Sequence, residues 1–356
     1  MRALIFRGKY LIQFLLASSP LSLFADECCY GNPPAYLGKP CIRSILYGEY
    51  FFASVREDGL SYAIRTNGNP LDGKLIEPSD RWRPGFRIGF GSHLAHDSWE
   101  ISGDWTYFYS DLIQTVHAAF APAGSTYLTP IFIDASSYAQ MLGGGKSVQE
   151  AKEQWTLSFN TISFSLSRPY HLSRELSVRP LTGLMANWID QDVAISYLTS
   201  APPSGGGNNV VDYRTLIQND TWRAGPFFGG MMDWYIQRKF RFFGALRGAA
   251  LYRSLHFSQT QTSVGNSGGD FRLFLRDASH RLQPWVDCRL GLSWGTFFRC
   301  SRHYFEAGLQ YECQYFWHEF ESRILCQQIP NSQDRSLNNL GDLSWQSVGL
   351  RLRLDF

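Results

Sequence analysis

The stretch "SWQSVGLRLRLDF", residues 344–356, carries the alternation that decides the fold. The even positions of 348–356 are all apolar, whereas the odd positions include Arg351, Arg353 and Asp355. Successive side chains of a β-strand point to opposite faces, so this stretch predicts a strand with one apolar and one charged face. Such a strand separates two unlike environments.

Nine further segments of the 356-residue chain show the same period of two. Aromatic residues make up 15% of the sequence and charged residues only 18%, which favours aromatic-rich strands over charged helices. The ends of the predicted strands are defined to within about two or three residues. The ten predicted strands are 43–54, 82–92, 98–109, 153–167, 175–189, 219–235, 239–254, 280–296, 303–318 and 343–356.

The connections between these strands alternate in length. Short ones lie at 93–97, 168–174, 236–238 and 297–302, and long ones at 55–81, 110–152, 190–218, 255–279 and 319–342. Short periplasmic turns and long extracellular loops are typical of a transmembrane barrel. We therefore predict an all-β fold: a transmembrane antiparallel outer-membrane β-barrel of about ten strands. A soluble β-sandwich is the alternative, but its strands usually have about 5 to 6 residues.

Three details of the strand pattern leave questions for the structure. The predicted loop 190–218 contains "DVAISYL" and "VVDYRTL", which would give twelve strands if they form another hairpin. The apolar positions of 153–167 change from odd to even, which predicts a bulge near Asn160 or Thr161. Prolines interrupt strand hydrogen bonding, so we expect strand ends or bulges at four of them. These are Pro84, Pro180, Pro226 and Pro284.

The first 25 residues have a different character from the rest. Three basic residues, the apolar run "YLIQFLLASSPLSLF" and Ala25 follow one another in the order of a secretory signal peptide. We predict a signal peptide at 1–25, a periplasmic cysteine-containing segment at 26–42 and the barrel at 43–356. Removing 1–25 takes three of the 33 basic residues and leaves 30 against 31 acidic ones. This balance argues against a nucleic-acid partner.

Charged side chains occupy the strand face opposite the apolar one. Charges cost several kcal/mol on a lipid-facing surface, so we expect them to line the barrel lumen. The predicted pore-lining residues are Arg83, Arg87, Glu100, Asp104, Arg179, Arg223, Asp233, Arg241, Arg247, Arg281, Asp287, Arg289, Glu306, Glu312 and Arg351.

The strand sequences resemble those of the Legionella-type major outer membrane proteins, a family that also occurs in environmental chlamydiae. The matching stretches are "WRPGFRIGFG" (82–91), "FNTISFSLSR" (159–168), "VRPLTGLMANWIDQD" (178–192), "WRAGPFFGG" (222–230), "QPWVDCRLGLSW" (283–294), "FEAGLQYECQYFW" (305–317) and "GDLSWQSVGLRLRLDF" (341–356). The resemblance implies a pore-forming protein of the bacterial outer membrane that passes small hydrophilic solutes. It also implies that the barrel assembly machinery reads Phe356, at the periplasmic rim.

Seven cysteines follow the predicted signal peptide, and an odd number leaves at least one thiol free or bound to another chain. Cys28, Cys29, Cys41 and Cys300 are predicted on the periplasmic side, where disulfides to other subunits or envelope proteins are an expectation that the resemblance supports. We expect Cys288 and Cys313 to face lipid as unlinked thiols on neighbouring strands. Trimeric assembly is a further expectation, from porins in general.

Catalysis, cofactors and metal binding are not expected. His256 and Ser258 are two residues apart near the outer rim, but a catalytic dyad also needs an orienting third group and oxyanion donors. Two functions therefore remain. An open lumen would make the protein a passive diffusion channel, whereas arginine–carboxylate pairs across the lumen would make it a filled structural barrel or an adhesin acting through its loops.

Overall fold

The computed structural model describes ten stretches of the chain: 44–67, 73–94, 99–118, 126–133, 147–200, 211–237, 239–265, 271–298, 303–326 and 335–356. The predicted signal peptide, the segment 26–42 and four cysteines (Cys28, Cys29, Cys41 and Cys300) lie outside the described residues. In the described part of the chain, no helix has the length and apolar character needed to cross a membrane.

Ten long antiparallel strands form the barrel wall, as predicted. They are β1 (Ser44–Glu57), β4 (Arg83–His93), β5 (Glu100–His117), β7 (Ser147–Ser167), β9 (Leu176–Ser200), β10 (Val211–Gln237), β11 (Phe240–Gly265), β12 (Phe271–Phe298), β13 (His303–Cys326) and β14 (Arg335–Asp355). Four short strands are added to the wall: β2 (Ala63–Asn67), β3 (Gly73–Ile76), β6 (Thr126–Pro130) and β8 (Tyr170–His171). The barrel closes because β1 pairs with both β4 and β14.

The barrel has two zones with opposite polarity. In the lower zone, next to the periplasmic rim, large apolar side chains point outward. Leu184, Phe228, Leu246 and Leu282 are each at least 60% exposed, which suits contact with lipid rather than water. An aromatic row formed by Trp188, Trp222 and Tyr252 marks the upper limit of this zone on β9, β10 and β11. We call the part below this row the lower barrel.

Beyond the aromatic row, in what we call the upper barrel, the pattern is inverted. Many outward positions are polar, such as Asp190, Asp192, Gln218 and His256, and many inward positions belong to an apolar core. This core includes Trp155, Leu157, Val193, Ile195, Tyr197, Leu255 and Phe257. Water-facing polar groups and a buried apolar core indicate that the upper barrel projects out of the membrane on the extracellular side.

The inverted pattern explains why the strand predictions were too short. β12 has 28 residues and β10 has 27, whereas their predicted lengths were 17 each. The hypothesis of twelve wall strands is wrong, because both halves of the 190–218 hairpin continue β9 and β10. The predicted bulge near Asn160 or Thr161 is also wrong: β7 pairs with β5 without a register shift there. The apolar positions of β7 change from odd to even because the strand passes from the upper barrel to the lower barrel. Apolar side chains point inward in the first zone and outward in the second.

The four prolines singled out in the sequence lie beside ends or gaps of hydrogen-bonded ladders. The prediction of strand ends or bulges is nevertheless wrong for Pro226 and Pro284, which lie inside β10 and β12 without a register shift. The β4–β5 ladder starts one residue after Pro84, the β7–β9 ladder ends one residue before Pro180 is reached, and the β10–β11 ladder omits Pro226. The β12–β13 ladder ends at Trp285, next to Pro284, and a proline nitrogen cannot donate the next hydrogen bond. Above this point, β12 pairs with β11 and β13 pairs with β14.

This gap between β12 and β13 is a seam in the upper barrel. On β13 the register shifts between Phe316 and Phe320, and His318 adopts a positive φ of 54°. Such a conformation is uncommon for a residue other than glycine and marks the local bulge. The bulge directs Glu319 into the interior, where its side chain is completely buried. Polar side chains, rather than strand backbone, connect the two sides of the seam.

Candidate functional site

The charged residues predicted to line the lumen all lie on inward faces of the wall strands. Most are buried, with Glu312 and Asp287 inaccessible to solvent and Arg87 2% exposed. Arg281, near the seam, has a more exposed side chain at 38%. Their common side follows from the strict alternation of inward and outward residues along a strand.

Arg87 is the centre of the ion-paired network in the lower barrel. Its Nη1 donates to Glu49 Oε2 at 2.7 Å, and its Nη2 donates to both carboxylate oxygens of Glu312 at 2.8 and 2.9 Å. The remaining Nε donates to Thr106 Oγ1 at 2.8 Å. The guanidinium is thus fully satisfied, which a buried charge requires.

A second arginine joins this centre to the neighbouring strands. Arg289 Nη2 contacts Glu312 at 2.8 Å, and Arg289 Nε contacts Asp287 at 3.1 Å. Asp287 also binds Arg247, whose Nε donates to it at 2.6 Å. The network therefore extends from β4 across the lumen to β11, β12 and β13. Its charges neutralise one another inside the barrel.

A further group of ion pairs lies closer to the periplasmic rim. Arg241 contacts Asp233 at 3.2 Å and also pairs with Glu306. Arg179 Nη1 donates to Glu100 at 2.7 Å. Carboxylates on three strands thus hold two arginines at the level below Arg87.

An aromatic layer fills the lumen above these charges. The ring centroid of Trp345 lies 4.7 Å from that of Phe108, 4.9 Å from that of Phe159 and 5.7 Å from that of Phe51. Phe316 extends the layer, 6.0 Å from Phe159. All five rings are almost completely buried. The sequence analysis did not predict this layer, since it assigned inward faces to polar residues.

The upper barrel contains a row of three arginines that the sequence analysis only partly identified. Arg223, Arg253 and Arg281 are direct neighbours on β10, β11 and β12. Arg223 pairs with Glu319, while Arg253 donates to the carbonyl oxygens of His318 at 2.7 Å and of Glu319 at 2.8 Å. The sequence analysis did not identify Glu319, because the predicted strand ends at residue 318. The bulge between Phe316 and Phe320 interrupts the period of two just before it.

One acidic side chain of the upper barrel is buried without compensation. Glu153 is 1% exposed, and within the described part of the chain neither of its carboxylate oxygens has a hydrogen-bond partner. Burial, together with repulsion from Glu77, raises the pKa of Glu153 well above its usual range. The predicted strand 153–167 includes Glu153, but the sequence analysis assigns this residue no functional role. The neighbouring core residues Ala151 and Trp155 explain its desolvation.

A cavity of about 80 Å³ remains in the lower barrel. Its wall includes Glu100, Asp104 and six arginines, which are Arg179, Arg241, Arg247, Arg289, Arg351 and Arg353. Among the described residues, no group of three or more His, Cys, Asp or Glu side chains is arranged to hold a metal ion. The arrangement can bind and orient charged groups.

The remaining predicted residues are found on the outer wall or at the rim. Cys288 and Cys313 are direct cross-strand partners on the lipid-facing side, and both are free thiols, as predicted. Phe356 is 51% exposed, and its backbone exchanges two hydrogen bonds of 2.9 Å with Ser44. His256 lies on the outer face of β11, opposite Asp220 of β10.

Comparison with known proteins identifies the family. Residues 53–341, well over half of the chain, match the family model described as Legionella pneumophila major outer membrane protein precursor. No curated protein matches the chain.

Solved structures with some similarity are also outer-membrane proteins. The outer membrane protease OmpT from Escherichia coli has 8% identity and a TM-score of 0.32, over 88% of this chain and 96% of that chain. A major outer membrane protein from Thermus thermophilus has 11% identity and a TM-score of 0.25, over 69% and 97%. A FadL homologue from Pseudomonas aeruginosa has 6% identity and a TM-score of 0.25, over 92% and 93%.

Likenesses at this level carry no inference about activity, so the assignment rests on the family match and the closed ten-stranded barrel. The chain belongs to the Legionella pneumophila major outer membrane protein family, and it is a protein of the bacterial outer membrane.

Proposed function

We propose that this protein is a structural protein of the outer membrane, a closed barrel that holds its upper sheet and loops outside the cell. The observation that carries this proposal is the filling of the lumen at three successive levels. These are the Arg241 ion pairs, the Arg87 network and the aromatic layer around Trp345. Side chains can fill the interior of a barrel of about 8 strands, and ten strands add little width.

Separating the ion pairs that fill the lumen would cost several kcal/mol of free energy. Glu312 accepts hydrogen bonds from Arg87 and contacts Arg289, so a passing solute would have to separate several charges at once. Removing one partner of a buried ion pair typically costs about 3–5 kcal/mol. A barrel with this interior is rigid and resists unfolding, which suits a load-bearing envelope protein. The upper barrel, with its own apolar core, then acts as a platform for extracellular contacts.

Passive diffusion of small hydrophilic solutes is the second candidate. Membership of a family that the sequence resemblance links to pore formation supports a channel-like role. The lower barrel supports it further, because its polar wall already contains a cavity of about 80 Å³. In this alternative the aromatic layer around Trp345 and Phe159 would be the barrier that solutes have to pass.

Conductance of the purified protein in planar bilayers separates the two functions. Its folding is first checked by heat-dependent mobility on detergent gels. The structural proposal predicts no discrete current steps, and steps of uniform size would overturn it in favour of the channel. The double variant Trp345→Ala/Phe159→Ala, which removes most of the aromatic layer, sharpens the test. A structural barrel stays silent because the ion pairs below persist, whereas a channel conducts more.

A further inference from the structure

Arg351 lies on the inward face of β14. Its Nε is buried and has no hydrogen-bond partner among the described residues. Its guanidinium carbon lies 4.2 Å from the ring centroid of Tyr47, which is a cation–π contact. Among the described residues Arg351 makes no ion pair within 4.0 Å, in contrast to Arg87, Arg241 and Arg289 in the same lumen.

The neighbours of Arg351 in the sheet do not form a direct ion pair with it. On β1, its direct partner is Glu49, which accepts hydrogen bonds from Arg87 at 2.7 Å and from Gln310 at 2.6 Å. On β13, its partner is Gly308, which has no side chain. Glu49 is therefore engaged by Arg87 and Gln310, and neither flanking position forms a direct ion pair with Arg351.

The unpaired guanidinium lines the cavity of about 80 Å³ in the lower barrel. This volume has room for roughly two or three waters, at about 30 Å³ for each. Arg353 also lines the cavity and lies two residues along the strand, so it shares the same face of the wall. Its Nε and Nη2 bind Asp355 at 2.7 and 2.9 Å, which leaves Nη1 for a ligand.

Two carboxylates line the same cavity, but each already has hydrogen-bond donors. Glu100 accepts from Arg179 at 2.7 Å. Asp104 accepts from Ser163 at 2.8 Å and from the hydroxyl group of Tyr47 at 3.3 Å. Tyr47 thus contacts Arg351 through its ring and Asp104 through its hydroxyl. At the end of the cavity next to Arg351 and Arg353, the Arg351 guanidinium lacks a direct ion pair with the described residues.

We propose that this end of the cavity binds a small inorganic anion between Arg351 and Arg353. A guanidinium cannot lose its proton in a protein, and a charge-assisted hydrogen bond from it is stronger than one between neutral groups. An anion of the size of chloride or phosphate fits the space and supplies the ion-pair partner that Arg351 lacks. The site goes beyond the structural role proposed above and does not depend on whether the barrel conducts.

Thermal unfolding of the full mature protein in detergent tests the proposal. The unfolding midpoint is measured in sodium chloride, in sodium phosphate and in sodium gluconate at one ionic strength, since gluconate is too large for the cavity. Binding to the folded state alone raises the midpoint, and we expect a rise of roughly 3 °C or more over gluconate. The variant Arg351→Gln should lose this rise, whereas Arg214→Gln, at an exposed pair with Asp212, should keep it.

The outcomes separate cleanly. A rise with chloride alone assigns a halide, a rise with phosphate alone assigns an oxyanion, and a rise with both assigns a general anion site. Equal midpoints for the wild type in all three salts would overturn the proposal, as would an undiminished rise in Arg351→Gln. Crystals grown in sodium bromide give an independent readout, with anomalous density next to the Arg351 guanidinium expected in the wild type only.

Discussion

Gln259 of β11 hydrogen-bonds to the backbone of Arg323 of β13 in both directions. Its Nε2 donates to the Arg323 carbonyl oxygen at 2.9 Å, and its Oε1 accepts from the Arg323 amide at 3.0 Å. A side-chain amide thus reproduces the pair of bonds that a neighbouring strand would make. It does so at the seam, where the β12–β13 ladder has stopped.

Replacing this amide should loosen the seam. Gln259→Met keeps the approximate size of the side chain but leaves the amide and carbonyl groups of Arg323 unpaired, which costs about 1–3 kcal/mol for each buried group. We expect faster hydrogen exchange of the peptide 317–326 and a lower unfolding midpoint. Gln218→Met is the control, because Gln218 lies on the outer face and bonds to exposed Asp192. Equal exchange in wild type and Gln259→Met would show that the seam is held by other contacts.

Buried and exposed ion pairs should differ strongly in their effect on stability. Arg87→Met leaves Glu49 and Glu312 buried without their main partner, and we expect a loss of about 3–5 kcal/mol in the free energy of unfolding. Arg56→Met removes an exposed pair with Glu77 and should cost at most about 1 kcal/mol. Urea unfolding from lipid vesicles, followed by tryptophan fluorescence, measures both. Similar losses for the two variants would contradict a closed, desolvated network.

The two zones of the barrel can be mapped with an arginine scan along one strand. Leu246 of β11 is 60% exposed in the lower barrel, and Ser258 lies on the same outward face in the upper barrel. Arginine at the bilayer midplane costs about 2–4 kcal/mol, so Leu246→Arg should destabilise the vesicle-embedded protein by an amount of that order. Ser258→Arg should be nearly neutral. A comparable loss at Ser258 would place the membrane boundary higher than the aromatic row.

Glu153 predicts a pH dependence of stability. Its pKa is raised in the folded state, so the folded protein holds this proton over a pH range in which the unfolded chain releases it. Stability is therefore highest below the unfolded pKa of about 4.3 and falls as the pH rises toward the folded pKa. Glu153→Gln removes this loss.

The unfolding midpoints of wild type and Glu153→Gln should thus be similar near pH 4, and the variant should be the more stable one at pH 7. A gain of about 1–3 kcal/mol is expected from removing an unsatisfied buried group. Glu77→Gln is the control for the repulsive neighbour and should give a smaller gain of the same sign. A variant that is less stable than the wild type at pH 7 would show that Glu153 has a partner outside the described residues.

The sequence by itself determined the number and order of the ten wall strands and the alternation of their faces. The stretch 344–356 is representative, since Arg351 and Arg353 face the interior as their parity requires. Parity is a local property of an extended backbone, and prolines such as Pro284 mark ladder ends for an equally local reason, the missing amide hydrogen.

Only the tertiary structure decided what surrounds each face. Trp155 and Phe159 alternate just as lipid-facing residues do, yet they lie inside the barrel, because the upper barrel is surrounded by water and has an apolar core. Whether an inward arginine is paired depends on strands far apart in the chain. Arg87 meets Glu312 across 225 residues, whereas Arg351 meets a glutamate already bound elsewhere. Such long-range neighbours follow from barrel closure and strand register, which no single segment encodes.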